Sequence, residues 1–169
     1  MDAGWHRAYL SLGSNIDPEM NLALAFSALR GRFGEVRFSP VYRTASVGFE
    51  GADFLNAAAI VETRLDPQAL DAWLHAYEDA AGRDRSGPRF SDRNIDIDLV
   101  LYDALELTGE GHLQLPRPEL KHAFVLRPLA DIAPDAVIAG QGRTVDEAWR
   151  AHPDFGTPAE VVDVEAGGF

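Results

Sequence analysis

An α+β fold is what this sequence predicts, and three observations carry the prediction. Segments with strand periodicity and segments with helical periodicity follow one another in the order strand, helix, strand, strand, helix, strand. That order is the split βαβ pattern of ferredoxin-like domains, in which helices cover an antiparallel sheet. The chain has 169 residues, of which 46% are hydrophobic and 25% charged, enough for one compact domain with a substantial core. No internal repeat, low-complexity tract or linker divides it, so a single domain over residues 1–169 is expected.

The elements can be justified in order. "RAYLSLGSN" (7–15) reads as a first strand running into a Gly-Ser-Asn turn. Asp17 and Pro18 form a cap and first-turn proline, and Leu22, Leu24, Ala25, Ala28 and Leu29 recur at helical spacing to about Phe33, with Gly34 as the stop. "EVRFSPVYRT" (35–44) alternates as a strand, but Pro40 makes it an edge or a bend. "DFLNAAAIVETR" (53–64) is a further strand. Asp66-Pro67 opens a second helix with Leu70, Trp73, Leu74 and Tyr77 on one face, ended by Gly82. In "FSDRNIDIDLVLYD" (90–103), Ile95, Ile97, Leu99 and Leu101 alternate with Asp96, Asp98, Val100 and Tyr102 as a last strand. Residues 104–118, with Gly109, Gly111, Pro116 and Pro118, are irregular. "ELKHAFVLRPLADIAPD" (119–135) is a short helical segment with proline breaks, and Val145, Ala148 and Trp149 mark a final short helix. The acidic, Gly-rich tail from about residue 157 is expected to fray.

Composition narrows the function. Cysteine is absent, which excludes disulfides and thiolate metal sites. No apolar run is long enough to span a membrane, and there is no basic, apolar leader, so a cytoplasmic location is expected. A net charge of −12 argues against holding a nucleic-acid backbone. The charge is uneven: "RDRSGPRFSDR" (83–93) carries four Arg and two Asp, while residues 144–169 hold six acids against Arg150 alone. The basic island directly precedes the two acids of the last strand.

Those acids are the oddest feature of the chain. A strand sends Asp96 and Asp98 to the same face, yet Asp is poor in strands and adjacent carboxylates repel. A bare Asp-x-Asp in a strand can be a solvated face with arginines nearby. It can equally be a hard-cation site, since Mg²⁺ typically takes one or two carboxylates and leaves its other positions to water and phosphate. Arg83, Arg85, Arg89 and Arg93 then gain a reason, because guanidinium groups bind phosphate oxygens bidentately. Metal beside arginines is what polyphosphate transfer requires. The chain has no G-x-x-x-x-G-K-[ST] motif and Lys121 is its only lysine, so it is not a P-loop enzyme. Thr44, Phe54 and Asn56 form a second candidate group. An amide suits a ligand edge with both donors and acceptors and Phe54 offers a stacking face, though a core Phe and an Asn bonded to a loop are equally compatible with the pattern.

In order, "AYLSLGSN", "VYRTASVG", "DFLNAAAIVET", "YEDAAGRDR", "DRNIDIDLVLYD" and "LADIAP" resemble the 6-hydroxymethyl-7,8-dihydropterin pyrophosphokinase family, over about residues 8–150. The resemblance implies a ferredoxin-like fold with helices on both faces of the sheet. It implies transfer of pyrophosphate from ATP to the pterin hydroxymethyl group, releasing AMP, in folate biosynthesis. ATP and hydroxymethyl-dihydropterin would be the only partners, and the protein a monomer. Asp96 and Asp98 would hold two Mg²⁺ ions. Arg83, Arg85 and Arg93 would clamp phosphates or steady the transition state, and Glu78 would lie near the nucleotide. Thr44, Ala45 and Val47 would line the pterin pocket, Asn56 would bond the ring edge, and Phe54 and Phe124 would sandwich it. The chain departs from the family pattern in places. "RFSDR" replaces R-W-G-P-R, so Phe90 stands where a Trp would cover the pterin. Arg117 stands where a His would touch phosphate, and His122 falls near the place of an Arg in the nucleotide site.

Overall fold

The computed structural model describes residues 4–44, 53–82, 94–108 and 113–164. Strand β1 (His6–Ser14) leads into helix α1 (Pro18–Phe33), then β2 (Arg37–Phe38), β3 (Val41–Thr44), β4 (Phe54–Thr63), helix α2 (Pro67–Ala80) and β5 (Asp96–Tyr102). A 3₁₀ turn (Pro118–Lys121), helix α3 (Ala123–Ile132), the β6 (Val137–Ile138)/β7 (Arg143–Thr144) hairpin, helix α4 (Val145–Arg150) and β8 (Glu160–Val162) complete the described chain. The main sheet runs β5-β1-β4-β3-β8, with β2 also on β4, and its pairings are antiparallel. This is the predicted α+β, ferredoxin-like arrangement.

Helices cover both faces. On one, α1 and α2 bury Leu22, Phe26, Leu29, Leu70 and Leu74 against Leu10, Leu12, Leu55, Ile97 and Leu99. On the other, α3 and α4 bury Val125, Leu126, Leu129 and Trp149 against Tyr9, Ala58, Val100 and Leu101. β4 is sandwiched between the two, so Ala57 and Ala59 serve one core and Ala58 the other. Each large aliphatic side chain buried this way contributes roughly 1.5–3 kcal/mol.

Local signals explain most boundaries. Asp66 accepts a hydrogen bond from Ala69 N at 2.7 Å and caps α2. Thr144 and Glu147 close a reciprocal capping box on α4. Pro40 breaks the second strand as expected, and Ser39 bridges the break: its N donates to the Ala58 carbonyl and its Oγ accepts from Ala58 N. Helix α1 stops at Gly34, whose φ of 83° suits glycine.

Three expectations need correction. Asp17 occupies the cap position of α1 but takes a left-handed conformation (φ 40°) and makes no side-chain cap hydrogen bond. In β5 the simple alternation fails after Leu99. Tyr9 faces Leu101 while Leu10 faces Leu99, so Val100 is an extra, bulged residue. Leu101 thereby joins the α3 core and Tyr102 the α1/α2 core, the reverse of the periodic reading. Last, the tail does not simply fray from residue 157. Glu160–Val162 adds a strand to the edge of β3, Arg43 pairs with Glu160 at 3.3 Å, and Arg127 donates to the Thr157 carbonyl. Its polar composition hides this, because the strand exists only by pairing with β3.

Candidate active site

Sheet register builds the site. Directly opposed residues of antiparallel strands share a face. Gly13 stands opposite both Asp96 and Asn56, and Tyr42 opposite Asn56 on the next strand. One step along, Ser11 stands opposite Asp98 and Ala58, while Thr44 faces Phe54. Asp96, Asp98, Asn56, Phe54 and Thr44 therefore lie on one face, the one that α3 covers. Asp96 and Asn56 are two strands apart, about 10 Å.

The acids form a cluster of three. Glu78, near the end of α2, is fully buried, and its Oε2 accepts a 2.7 Å hydrogen bond from Ile97 N. One carboxylate oxygen from each of Glu78, half-buried Asp96 and half-buried Asp98 lies within 4.8 Å of the others. Three negative groups so close repel strongly unless cations sit among them. The donors are all oxygen, the set that Mg²⁺ prefers, and the cluster fits that ion better than zinc. Arg117 supplies part of the balancing charge: its Nη2 is 3.3 Å from Asp98 Oδ1. Its backbone N donates to the carbonyl of bulged Val100 at 3.0 Å, which fixes the residue beside the ledge.

The amide side is equally specified. Asn56 is 5% exposed, and its Nδ2 donates to Thr44 Oγ at 2.6 Å. Its Oδ1 lies over Gly13, where an added Cβ would come within 2.8 Å of it. Phe54 and Phe124 are half-buried, and Phe124 stacks on His122 with centroids 5.0 Å apart and planes at 11°. Burial, and then the charge of Lys121, lower the His122 pKa, which keeps its ring neutral near pH 7.

Structure and sequence overlap unevenly. Asp96, Asp98, Glu78 and Arg117 come together as one cluster, and Thr44, Phe54 and Asn56 as another. His122, expected on the nucleotide side, is stacked on Phe124. Ala45, Val47, Arg83, Arg85, Phe90 and Arg93 lie outside the described residues. Three contributors escaped the sequence reading. Gly13 leaves room for Asn56, and a glycine inside a strand is itself a signal of close approach. Ser14 Oγ donates to the Asn94 carbonyl, and Asn94 Nδ2 donates to the carbonyls of Ala81 and Gly82, both at 3.1 Å. These contacts tie the stems on either side of residues 83–93 to the end of β1, and no local pattern announces them.

An all-oxygen cluster of three carboxylates on a sheet that also carries a buried amide and half-buried aromatic rings is an arrangement that suits an enzyme handling phosphate and a flat ring. The family model of 7,8-dihydro-6-hydroxymethylpterin-pyrophosphokinase matches residues 9–134. A 2-amino-4-hydroxy-6-hydroxymethyldihydropteridine pyrophosphokinase from Methylorubrum extorquens is 44% identical over 146 residues, covering 84% of this chain and 90% of that protein. The enzyme of the same name from Pseudomonas aeruginosa is 36% identical over 158 residues, covering 87% and 92%. The Plasmodium falciparum HPPK-DHPS protein with pteroate has a similar fold, with a TM-score of 0.66 at 13% identity over 89% of this chain; the chain spans only 43% of that structure. This chain belongs to the hydroxymethyldihydropterin pyrophosphokinase family. Its reaction is the transfer of pyrophosphate from ATP to hydroxymethyldihydropterin in folate synthesis.

Proposed function

We propose that the transfer takes place on the face shared by the carboxylate ledge and Asn56, and that it depends on Mg²⁺. Asp96 and Asp98 would hold two ions, with the Glu78 carboxylate within reach of both acids. Magnesium bound there supplies charge neutralisation for the triphosphate oxygens. The pterin lies against Asn56, Thr44, Phe54 and Phe124, with Ala45, Val47 and Phe90 completing its pocket. Arg83, Arg85, Arg93 and Arg117 meet phosphate, and His122 borders the nucleotide as a neutral ring.

The chemistry follows from what each group can do. The pterin hydroxymethyl oxygen attacks the β-phosphorus of ATP, the bond to the α-phosphate oxygen breaks, AMP leaves, and the hydroxyl proton passes to water. Little charge builds on the attacking oxygen in a loose transition state, so no strong base is needed. What the chain supplies is placement. Asn56 fixes the ring edge, because a buried amide left unpaired is costly. The phenyl rings hold the plane, and the guanidinium groups hold phosphate. The protein acts as a monomer in the cytoplasm on two small molecules, and its net charge of −12 is consistent with no nucleic-acid partner.

One observation carries this reading: Asp96 and Asp98 share a face with the Asn56–Thr44 pair, and the Glu78 carboxylate joins them within 4.8 Å. The test is AMP release from ATP. AMP is expected only when Mg²⁺ and hydroxymethyl-dihydropterin are both present, and chelation should abolish it. AMP formed at the same rate without the pterin would point to hydrolysis and sink the reading.

A further inference from the structure

Among the groups around the ledge, Arg117 is a cation already seated on a carboxylate expected to bind metal. Its side chain is 17% exposed, and its Nη2 lies 3.3 Å from Asp98 Oδ1. The seat is imperfect. Its Nε is buried without a hydrogen-bond partner, and the Glu119 Oε1 atom at 3.5 Å is outside hydrogen-bond geometry. A guanidinium has five N–H donors in a rigid fork, and a buried unpaired donor costs free energy. Electrostatics therefore draw Arg117 onto Asp98, while hydrogen bonding leaves it unsatisfied there. The backbone bond to Val100 holds the residue in place however its side chain is disposed.

We propose that Arg117, a counter-cation of Asp98 among the described residues, competes with divalent metal for it. The inference rests on the Asp pair being the metal site. A metal ion arriving at Asp98 must displace the guanidinium or share the carboxylate with it. The ledge therefore holds a lone divalent ion weakly. A guanidinium moved off Asp98 becomes available for phosphate oxygens, which accept it bidentately. Arg117 thus acts on the metal through the carboxylate, and on phosphate directly once it is displaced.

The test is titration of the full-length protein with Mn²⁺ alone, following the resonance of the free ion, with wild type, Arg117→Ala, Arg117→Lys and Asp98→Asn. Arg117→Ala should bind Mn²⁺ about tenfold more tightly than wild type, within the roughly 5- to 150-fold range of coupled sites. Arg117→Lys keeps the charge and should stay near wild type. A melting curve checks that each variant folds; if alanine does not, Arg117→Met keeps the apolar stem without the charge and carries the same expectation. Equal or weaker binding by the neutral variants, with Asp98→Asn still losing the ion, would overturn the competition and leave the metal site standing. Mn²⁺ binding that Asp98→Asn leaves unchanged would overturn both.

Discussion

Asp98 and Leu99 are neighbours on β5, yet they belong to different molecules in the physical sense. Leu99 is fully buried among the side chains of α1, α2 and β1, where removal from water is the whole of its contribution. Asp98 points to the opposite face, half-buried, close to two other carboxylates and an arginine. One face of the sheet is closed by α1 and α2 over an apolar centre, with polar residues such as Ser14 and Thr63 only at its ends. The other is apolar only where α3 and α4 reach it, around Tyr9, Ala58, Val100 and Leu101. Beyond them it turns polar, with Ser11, Asp96, Asp98, Asn56 and Thr44. Leu99 thus serves packing alone, while the proposed chemistry falls to Asp98, a single residue away.

Substitutions can break that separation or sharpen it. The largest expected effects are a crossed pair. Leu99→Ala should cost about 2–5 kcal/mol of stability, seen as a lower denaturation midpoint, with AMP formation per folded molecule unchanged. Asp98→Asn should do the opposite, lowering AMP formation by about 10²–10³-fold while stability moves by no more than about 1 kcal/mol. A folded Leu99 variant that is slow, or an Asp98 variant that unfolds, would show that the two faces are not independent.

Asn56→Ala comes next. It should raise the KM for pterin by roughly tenfold or more, as expected for leaving polar groups unpaired, while the KM for ATP stays put. Gly13→Ala should give the same signature more weakly, by pushing the Asn56 amide. Equal changes in both KM values would mean that the amide does not face the pterin.

The smallest effect tests the closed part of the α3 face. Tyr42 donates to Asp131, and burial, then that hydrogen bond and the carboxylate charge, push its phenol up to about 12. Because the folded value exceeds the unfolded one, about 10, the associated stability is complete below pH 10 and is lost as pH rises through about 12. Tyr42→Phe should cost about 1 kcal/mol and remove one phenol from the high-pH absorbance titration. An unchanged titration would rule out the assignment.

What was legible in the sequence follows the range of the interactions. Helix α2 was visible because Asp66, Pro67, Leu70 and Leu74 are local signals, and the shared face of Asp96 and Asp98 follows from strand period alone. Pro40 announced the break between β2 and β3. The slip at Val100 was not visible, since it arises in pairing with Tyr9 and Leu10, about ninety residues earlier. The same holds for β8, which needs β3, and for the contact between Arg117 and Asp98. Glu78 entered the sequence reading only through family resemblance, because nothing in a helix of that composition says that its carboxylate will meet the Ile97 amide. Gly13 was legible in principle, but its partner across the sheet was not.

The bulge at Val100 has an effect on how this strand can vary. It divides β5 into two short phases: the acids keep time with the beginning of the strand, and Leu101 and Tyr102 keep time with its end. Changes in the aliphatic anchor beyond the bulge leave the phase of the carboxylates untouched. Removing the one extra residue would leave Leu101 opposite Tyr9 and Tyr102 opposite Ala8, on the sides they already hold, and would take away instead the Val100 carbonyl that receives the Arg117 amide, so the strand would keep its footing and the arginine beside the acids would lose its tether.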